Sequence, residues 1–374
     1  MEIIHIALGK VNPQRMNGVN KVVYNLATEQ AKAGVPVQVW GISHSIVHDY
    51  PERNFKTVLF QKSKFPFFMP DQMKEAIRST SNDVVFHLHG GFIPVFYSIA
   101  RFLHAEGKKF IFTPHGSYNR IAWRKSGTSK AIYFRLFEQS MLQKAAIVHV
   151  LGKSESDGLN QLLKGIQIQR VPYGFELFGE HAAAINPASS NFLIGFCGRV
   201  DIYTKGLDVL LDAFALFLHE VPTAQLWIIG DGPERASLEQ RADSLGIKEK
   251  ITFWGSRFGA EKDGLLAQLN LFVHPSRNEG LPTAVLEAAS MGIPCLISEA
   301  TNLGDEIRQS KAGIVISDTN KTEMLEGLIA SYRMYIHTAP QELQVRSRSM
   351  VESNFNWKKI LSDFNSIYQR ALSI

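Results

Sequence analysis

Only two cysteines occur in 374 residues, and both sit in apolar runs: Cys197 ends Phe192-Leu-Ile-Gly-Phe-Cys, and Cys295 lies in Pro294-Cys-Leu-Ile. That pattern excludes a disulfide scaffold and suits reduced, packed thiols. No apolar run approaches the roughly 20 residues needed to span a bilayer. The chain enters Glu2-Ile-Ile-His-Ile-Ala7 without a basic leader, so no signal peptide is expected. The expectation is a cytoplasmic protein, soluble or peripheral to the inner face of a membrane. Repeats of solenoid period and low-complexity tracts are lacking. Neither Gly-x-Gly-x-x-Gly nor Gly-x4-Gly-Lys-Ser/Thr occurs at a strand end, which argues against a dinucleotide cofactor and against ATP hydrolysis. His87 and His89 have the spacing of a metal pair but no evident third ligand, so no metal and no cofactor is expected.

What is present is an ordinary globular composition, 45% hydrophobic and 20% charged, at a length that suits two domains. The net charge of +5 is uneven. Residues 1–186 hold 22 Lys+Arg and 13 Asp+Glu, a net of +9, and the remaining 18 and 22 give −4. A basic first half suggests an anionic partner for that half. No nucleic-acid-binding module is recognisable, so nucleic acid is not expected. Phe60–Lys74 and Arg120–Phe137 interleave aromatics with Lys and Arg, as a surface docking on anionic lipid would.

Short β-branched runs alternate with amphipathic stretches along the chain. Ile3–Leu8, Val35–Gly41, Lys56–Phe60, Val84–Leu88, Phe110–Thr113, Ala146–Leu151 and Ile168–Pro172 read as strands, with helices over Val19–Ala33, Gln72–Ser79, Pro94–Glu106, Lys130–Lys144 and Ser154–Lys164. A polar stretch, Gly179–Ser190, reads as the linker. The habit then repeats from Phe192 to Ile316, and three helices follow at Lys321–His337, Gln341–Asn354 and Trp357–Leu372. The pattern predicts an α/β protein of two doubly wound, Rossmann-like domains facing across a cleft at their strand ends.

Candidate site residues all fall just after predicted strands. Gly18, opening a helix, could let backbone N–H groups approach a phosphate. His115 closes Phe110-Ile-Phe-Thr-Pro114, where an imidazole could bond a sugar hydroxyl or shuttle charge. Arg199 and Lys205 share one strand-to-helix loop, and a fork-shaped cation with a point cation suits a diphosphate. Gly230-Asp231-Gly232 is a turn by composition, and Ser256-Arg257-Phe258 follows another strand. In Glu279-Gly280-Leu281-Pro282-Thr283, Pro282 sits where a first helical residue would, and the N–H groups of Gly280, Leu281 and Thr283 offer an anion seat. Glu287 follows eight positions after Glu279, about two turns on.

Glu279-Gly-Leu-Pro followed by Glu287 resembles the Glu-x7-Glu signature of the retaining family-4 glycosyltransferases. Thr113-Pro-His115-Gly and Gly198-Arg199…Lys205-Gly206 resemble elements of the same family. The likeness is strong from Gly198 to Ser298 and diffuse before it; at Asn17 the family has the first of paired glycines. It implies a GT-B fold with an acceptor-binding domain over 1–183, a nucleotide-sugar-binding domain over 184–356 and a helix over 357–374 packing back on the first. It implies a retaining, metal-independent hexosyltransferase that uses a UDP- or GDP-sugar and a glycan or lipid-linked acceptor in surface glycoconjugate synthesis. Arg199 and Lys205 would offset the diphosphate, and Glu287 would hold the ribose. Glu279 with Gly280–Thr283 would hold the transferred sugar, with His115 on its other side. Gly18, Gly230, Ser256, Arg257 and Phe258 would line the nucleotide. Rival readings are a GT-B epimerase, a pyridoxal-phosphate glycan phosphorylase, or a non-catalytic sugar-nucleotide or glycan-binding protein.

Overall fold

The structure, a computed structural model, describes residues 1–12, 18–118, 127–177 and 191–374. The expected linker Gly179–Ser190, the 183/184 boundary, Asn17, Arg120, Trp123, Arg124 and Lys125 lie outside the described residues. The described chain forms two compact units, Met1–Gly174 with Trp357–Ile374, and Phe175–Asn356.

In the first unit seven strands form one parallel sheet: β1 (Glu2–Leu8), β2 (Val37–Ser43), β3 (Lys56–Gln61), β4 (Val84–His89), β5 (Lys109–Thr113), β6 (Ile147–Val150) and β7 (Ile168–Arg170). Their order is β3-β2-β1-β4-β5-β6-β7, so the winding reverses between β1 and β4. Every residue of β4 is buried, as a central strand covered on both faces requires. The helix read over Lys130–Lys144 begins instead at Gly127. It is broken by a π-turn, Phe134–Glu138, that turns both Phe134 and Glu138 inward.

The last helix, Trp357–Ser373, buries Ile360, Phe364, Ile367, Tyr368 and Ala371 along one stripe against β4 and β5. Polar groups of the sheet meet this stripe. Phe364 packs edge-on to His149 at 4.9 Å, and the Tyr368 hydroxyl lies 2.9 Å from His87 Nδ1.

The second unit is a six-stranded parallel sheet, β10-β9-β8-β11-β12-β13, reversing between β8 and β11. Its strands are β8 (Leu193–Cys197), β9 (Gln225–Ile229), β10 (Ile251–Gly255), β11 (Leu271–His274), β12 (Cys295–Ser298) and β13 (Gly313–Ile316). Both cysteines are buried and free. Two short helices had no signal in the sequence: Ile202–Lys205, too short for a period, and Gly304–Ser310. Lys205 therefore ends a helical turn and is not in an open loop; Gly206 stops that turn in the left-handed region at φ 68°. Pro282 is the residue before the helix Thr283–Ser290, not its first residue: its backbone is extended, and its carbonyl accepts from the Val285 N–H at 3.1 Å.

Because Phe364 fills the space between the last helix and the polar strands, Phe364→Ala should destabilise the first unit by about 3–5 kcal/mol. Urea unfolding followed by hydrogen exchange would show this as a loss of protection in β4 and β5, with β8–β13 unchanged.

Candidate functional site

At the carboxyl end of β11, Glu279 gathers the polar groups of the second unit. Its Oε1 accepts from His274 Nε2 at 2.8 Å and from Ser276 Oγ at 2.9 Å, and it is ion-paired with Lys205 Nζ. Burial pushes this carboxyl up, but the His274 hydrogen bond and the charges around it outweigh burial and hold it down at about 2. Glu279 is therefore an anion at neutral pH. Burial lowers the His274 imidazole, and its Nδ1 is buried without a hydrogen-bond partner.

The loop itself is fixed from outside. Asn302, left-handed at φ 63°, donates to the Glu279 and Gly280 carbonyls, each at 2.9 Å. Arg277 grips Asp208 through two bonds of 2.8 and 3.0 Å, stacks on Tyr203, and its N–H reaches the Thr204 carbonyl. That fork binds the turn carrying Lys205 to the loop carrying Glu279. Neither Asn302 nor Arg277 stood out in the sequence, because a latch is defined by its distant partner.

The two cations expected to act together are placed differently. Lys205 meets Glu279, whereas Arg199 is 67% exposed and pairs with Asp201 at 3.0 Å. Glu287 is buried on the helix Thr283–Ser290 and accepts from Lys262 Nζ at 2.8 Å. Its charge adds to burial in raising the Cys197 thiol to about 11. Gly280 and Leu281 are half-buried and Thr283 is exposed at the helix entry.

Gly230 (φ 139°) is needed for packing: a Cβ there would stand 1.9 Å from the Gly198 carbonyl oxygen. Its N–H donates to Gly255 at 2.8 Å, which sets the Gly-Asp-Gly turn beside the end of β10. Past that end Ser256 is exposed, Arg257 pairs with Glu261 at 3.0 Å, Phe258 projects outward, and the buried Trp254 Nε1 has no hydrogen-bond partner.

In the first unit, three non-glycine residues with positive φ follow three adjacent strands: Val11 (50°) after β1, Phe92 (59°) after β4 and His115 (54°) after β5. Left-handed backbone thus gathers at the carboxyl ends around the β1/β4 reversal, which is where ligands bind in doubly wound sheets. Gly18 is not part of it by necessity: it is exposed, has ordinary φ, and a Cβ would meet open space. The close approach occurs at Gly41, whose Cβ would stand 2.4 Å from the Gly9 carbonyl oxygen.

His115 is not isolated. Its Nε2 lies 3.1 Å from His89 Nδ1 and its Nδ1 lies 3.1 Å from the Tyr173 hydroxyl. His89 continues to His5 at 2.9 Å, and His5 to Gln30 at 2.7 Å. His5, His87 and His89 lie close enough to hold a metal ion, but each ring nitrogen of the three faces a hydrogen-bond partner or another ring of the set. The signal was in the sequence: His5, His87, His89, Thr113 and His149 are polar residues in otherwise apolar strand segments.

Below the β4 and β5 loops lie two buried carboxyls. Glu138 receives the Phe92 N–H and the Tyr118 hydroxyl, and Glu155 faces the N–H groups of Gly116, Ser117 and Tyr118.

Two family profiles match the chain: "Glycosyltransferase Family 4" over residues 16–177 and "Glycosyl transferases group 1" over 191–333. A phosphatidylinositol N-acetylglucosaminyltransferase component of Arabidopsis thaliana is 21% identical over 77% of this chain, which spans 62% of that protein's length. The GDP-mannose:cellobiosyl-diphosphopolyprenol alpha-mannosyltransferase of Xanthomonas oryzae pv. oryzae is 23% identical over 100% of this chain and 98% of its own. Among solved structures, Anabaena HepE in complex with UDP has the same fold, with a TM-score of 0.75 at 14% identity over 99% of this chain and 100% of that one. Among the described residues, no helix is long and apolar enough to cross a membrane.

The two units differ in their titrating groups. Burial pushes His5 and His149 down to about 4 and His115 to about 3, and lowers His87 and His89 well below 6.5. An unfolded chain binds protons on these five near 6.5 that the folded one refuses, so their contribution is lost as pH falls from 6.5 towards 4. Burial raises Glu138 and Glu155 to about 7, which works in the opposite sense between 4.5 and 7. Five outweigh two, so the first unit should lose up to about 4 kcal/mol per pH unit in that window. In the second unit the lowered His274 adds one such loss below 6.5 against the five of the first, and Glu279, held at about 2, adds another only below 4.5. Hydrogen exchange corrected for intrinsic pH dependence should show β1, β4, β5 and β6 opening before β8–β12 on acidification; the reverse order would contradict this assignment.

Proposed function

This chain belongs to the family-4 glycosyltransferases, and from that premise we propose that it is a retaining hexosyltransferase that uses a UDP- or GDP-linked sugar. The acceptor in this reading is a glycan or a lipid-linked intermediate of surface polysaccharide or glycoconjugate synthesis. The relatives support it by what they are named for: one uses GDP-mannose and a diphosphopolyprenol-linked acceptor, and a structural neighbour was solved with UDP.

The observation that carries the proposal is the Lys205–Glu279 pair at the end of β11. Lysine has three N–H donors, so Lys205 can keep Glu279 and still offer donors to a phosphate oxygen. Arg199, exposed beside Asp201, can swing its fork to the same diphosphate. Two protein cations would thus offset the charge that builds on the leaving group, which is the work a metal does elsewhere, and no metal is required. In the retaining course, the bond from the anomeric carbon to the phosphate oxygen breaks. The acceptor oxygen bonds to the same face, and the acceptor's proton passes to the departing phosphate. Glu279 receives a sugar hydroxyl, Glu287 the ribose hydroxyls once Lys262 shares it, and Trp254 Nε1 remains open to a nucleotide acceptor atom. His115 is the first unit's contact for a hydroxyl. Non-catalytic binding is the alternative, and turnover separates the two.

Lys205→Ala should leave the fold intact and lower turnover by about 10²–10³, as loss of a charge stabiliser does. The assay is nucleoside diphosphate release, across a panel of nucleotide sugars, with chelator present throughout. Undiminished turnover in the variant, or reversible abolition of wild-type turnover by chelator, would remove this mechanism.

Peripheral contact with an anionic membrane belongs to the same reading. Phe65 and Phe68 are 68% and 65% exposed, and Ile132 and Leu136 also project outward. Phe67 between the first two packs on Tyr133 and Phe137, next to the last two. Lys62, Lys64, Lys130 and Arg135 lie close in sequence. The protein should co-sediment with vesicles containing anionic lipid at low salt and release at high salt, each nearby cation contributing about 1 kcal/mol. Lys62→Glu with Lys64→Glu should weaken this; equal binding to neutral vesicles would sink the membrane reading.

A further inference from the structure

We infer that a single backbone carbonyl, that of Val171, fixes His115 as its Nε2–H tautomer through a hydrogen-bonded chain in which Gln30 is the positioning residue. The chain has nine links: Val171–His149–Thr113–His87–Tyr368–Gln30–His5–His89–His115–Tyr173. It lies wholly within the first unit.

Its direction follows from what each group can do. A carbonyl oxygen only accepts, so His149 Nε2, 2.7 Å from Val171, carries the proton. In neutral His149, Nδ1 then accepts, and the Thr113 hydroxyl at 2.8 Å must donate to it. The Thr113 oxygen therefore accepts from His87 Nε2–H at 2.6 Å, and His87 Nδ1 accepts from the Tyr368 hydroxyl at 2.9 Å. The Tyr368 oxygen accepts from the Gln30 amide nitrogen at 3.3 Å, which turns the amide oxygen to His5. His5 Nε2–H donates to that oxygen at 2.7 Å and its Nδ1 accepts from His89 Nε2–H at 2.9 Å. His89 Nδ1 accepts from His115 Nε2–H at 3.1 Å, and His115 Nδ1 accepts from the Tyr173 hydroxyl at 3.1 Å. The opposite polarity would point a lone pair of His149 at the Val171 carbonyl. Burial keeps all five imidazoles neutral at pH 7, as the chain requires.

The consequence concerns specificity and rests on the reading of His115 as a substrate contact. With Nε2–H committed to His89, His115 has only the Nδ1 lone pair to offer, now held by Tyr173. A ligand group that displaces the Tyr173 hydroxyl must itself donate a hydrogen bond. A sugar hydroxyl or an amide N–H qualifies; a carboxylate or phosphate oxygen is rejected. Gln30, two histidines away, sets that preference without touching the ligand.

The test is the ¹⁵N spectrum of the imidazoles in the intact, histidine-labelled protein, with His115 assigned by difference from His115→Asn. The expected result is a pyrrole-type Nε2 and a pyridine-type Nδ1 for His5, His87, His89, His115 and His149 alike. A pyrrole-type Nδ1 at His115 would overturn the inference. Two substitutions distinguish tautomer control from packing. Gln30→Leu keeps the volume but cuts the chain, so His115 should become a mixture of tautomers. Gln30→Glu loses the donor to Tyr368 but keeps an oxygen that accepts from His5, so the His115 signature should persist. Persistence in Leu with loss in Glu would assign Gln30 to packing alone. If either variant fails to fold, the wild-type spectrum decides by itself. Absence of sugar transfer with the five-histidine pattern intact would overturn the proposed function and leave the tautomer lock standing.

Discussion

A polar group buried without a partner costs several kcal/mol, and that constraint organises the strand ends of both units. Parallel sheets covered on both faces bury the polar side chains beneath their carboxyl edges. Any functional side chain placed there must be held by other side chains. In the first unit the solution is neutral: imidazoles, hydroxyls and one amide bonded head to tail beneath His115. In the second it is ionic: Lys205, His274 and Ser276 converge on one carboxylate oxygen of Glu279.

The periodic part of the chain was legible because it depends on local pattern. Lys321–His337 has the bounds its apolar spacing indicated, and Lys56–Gln61, Val84–His89, Pro94–Ala105 and Trp357–Ser373 each differ by one residue at one end. The interruption at Phe134–Glu138 was not legible, since a π-turn keeps the composition of a helix and differs only in which residues it turns inward. The candidate site was legible where chemistry and position coincide, as at Lys205 and Glu279, which the structure brings together. It was not legible where function depends on a distant partner. Gln30 looks like any polar helix residue until His5 and Tyr368 are found on either side of its amide. Arg199 illustrates the converse, because its sequence context was right while its side chain rests on Asp201.

Glycines show the same division. Gly230 could be read as a turn residue by type, yet its need comes from the Gly198 carbonyl 1.9 Å from where a Cβ would be. Gly41, in the middle of β2, gave no turn signal, and it is where the backbone after β1 comes closest. Backbone-to-backbone approach is a property of two segments, and a single segment records only that glycine is tolerated.

The electrostatic contrast between the two strand ends also limits what each can do in a reaction. A carboxyl held at about 2 is a weak base and cannot serve as an acid at neutral pH. Glu279 is therefore fitted to fix a cation and to accept hydrogen bonds, not to move a proton. His115, with its tautomer assigned from Val171 and its basicity lowered by burial, is equally poor as a proton acceptor. Neither of the two best-placed side chains is poised for general base work. In the retaining course proposed above, this leaves the acceptor's proton to the phosphate oxygen released as the glycosidic bond breaks. Burial makes His115 a poor proton acceptor, and at Glu279 the His274 hydrogen bond and the Lys205 charge do so against burial, so in the proposed reaction the proton is left to the substrate.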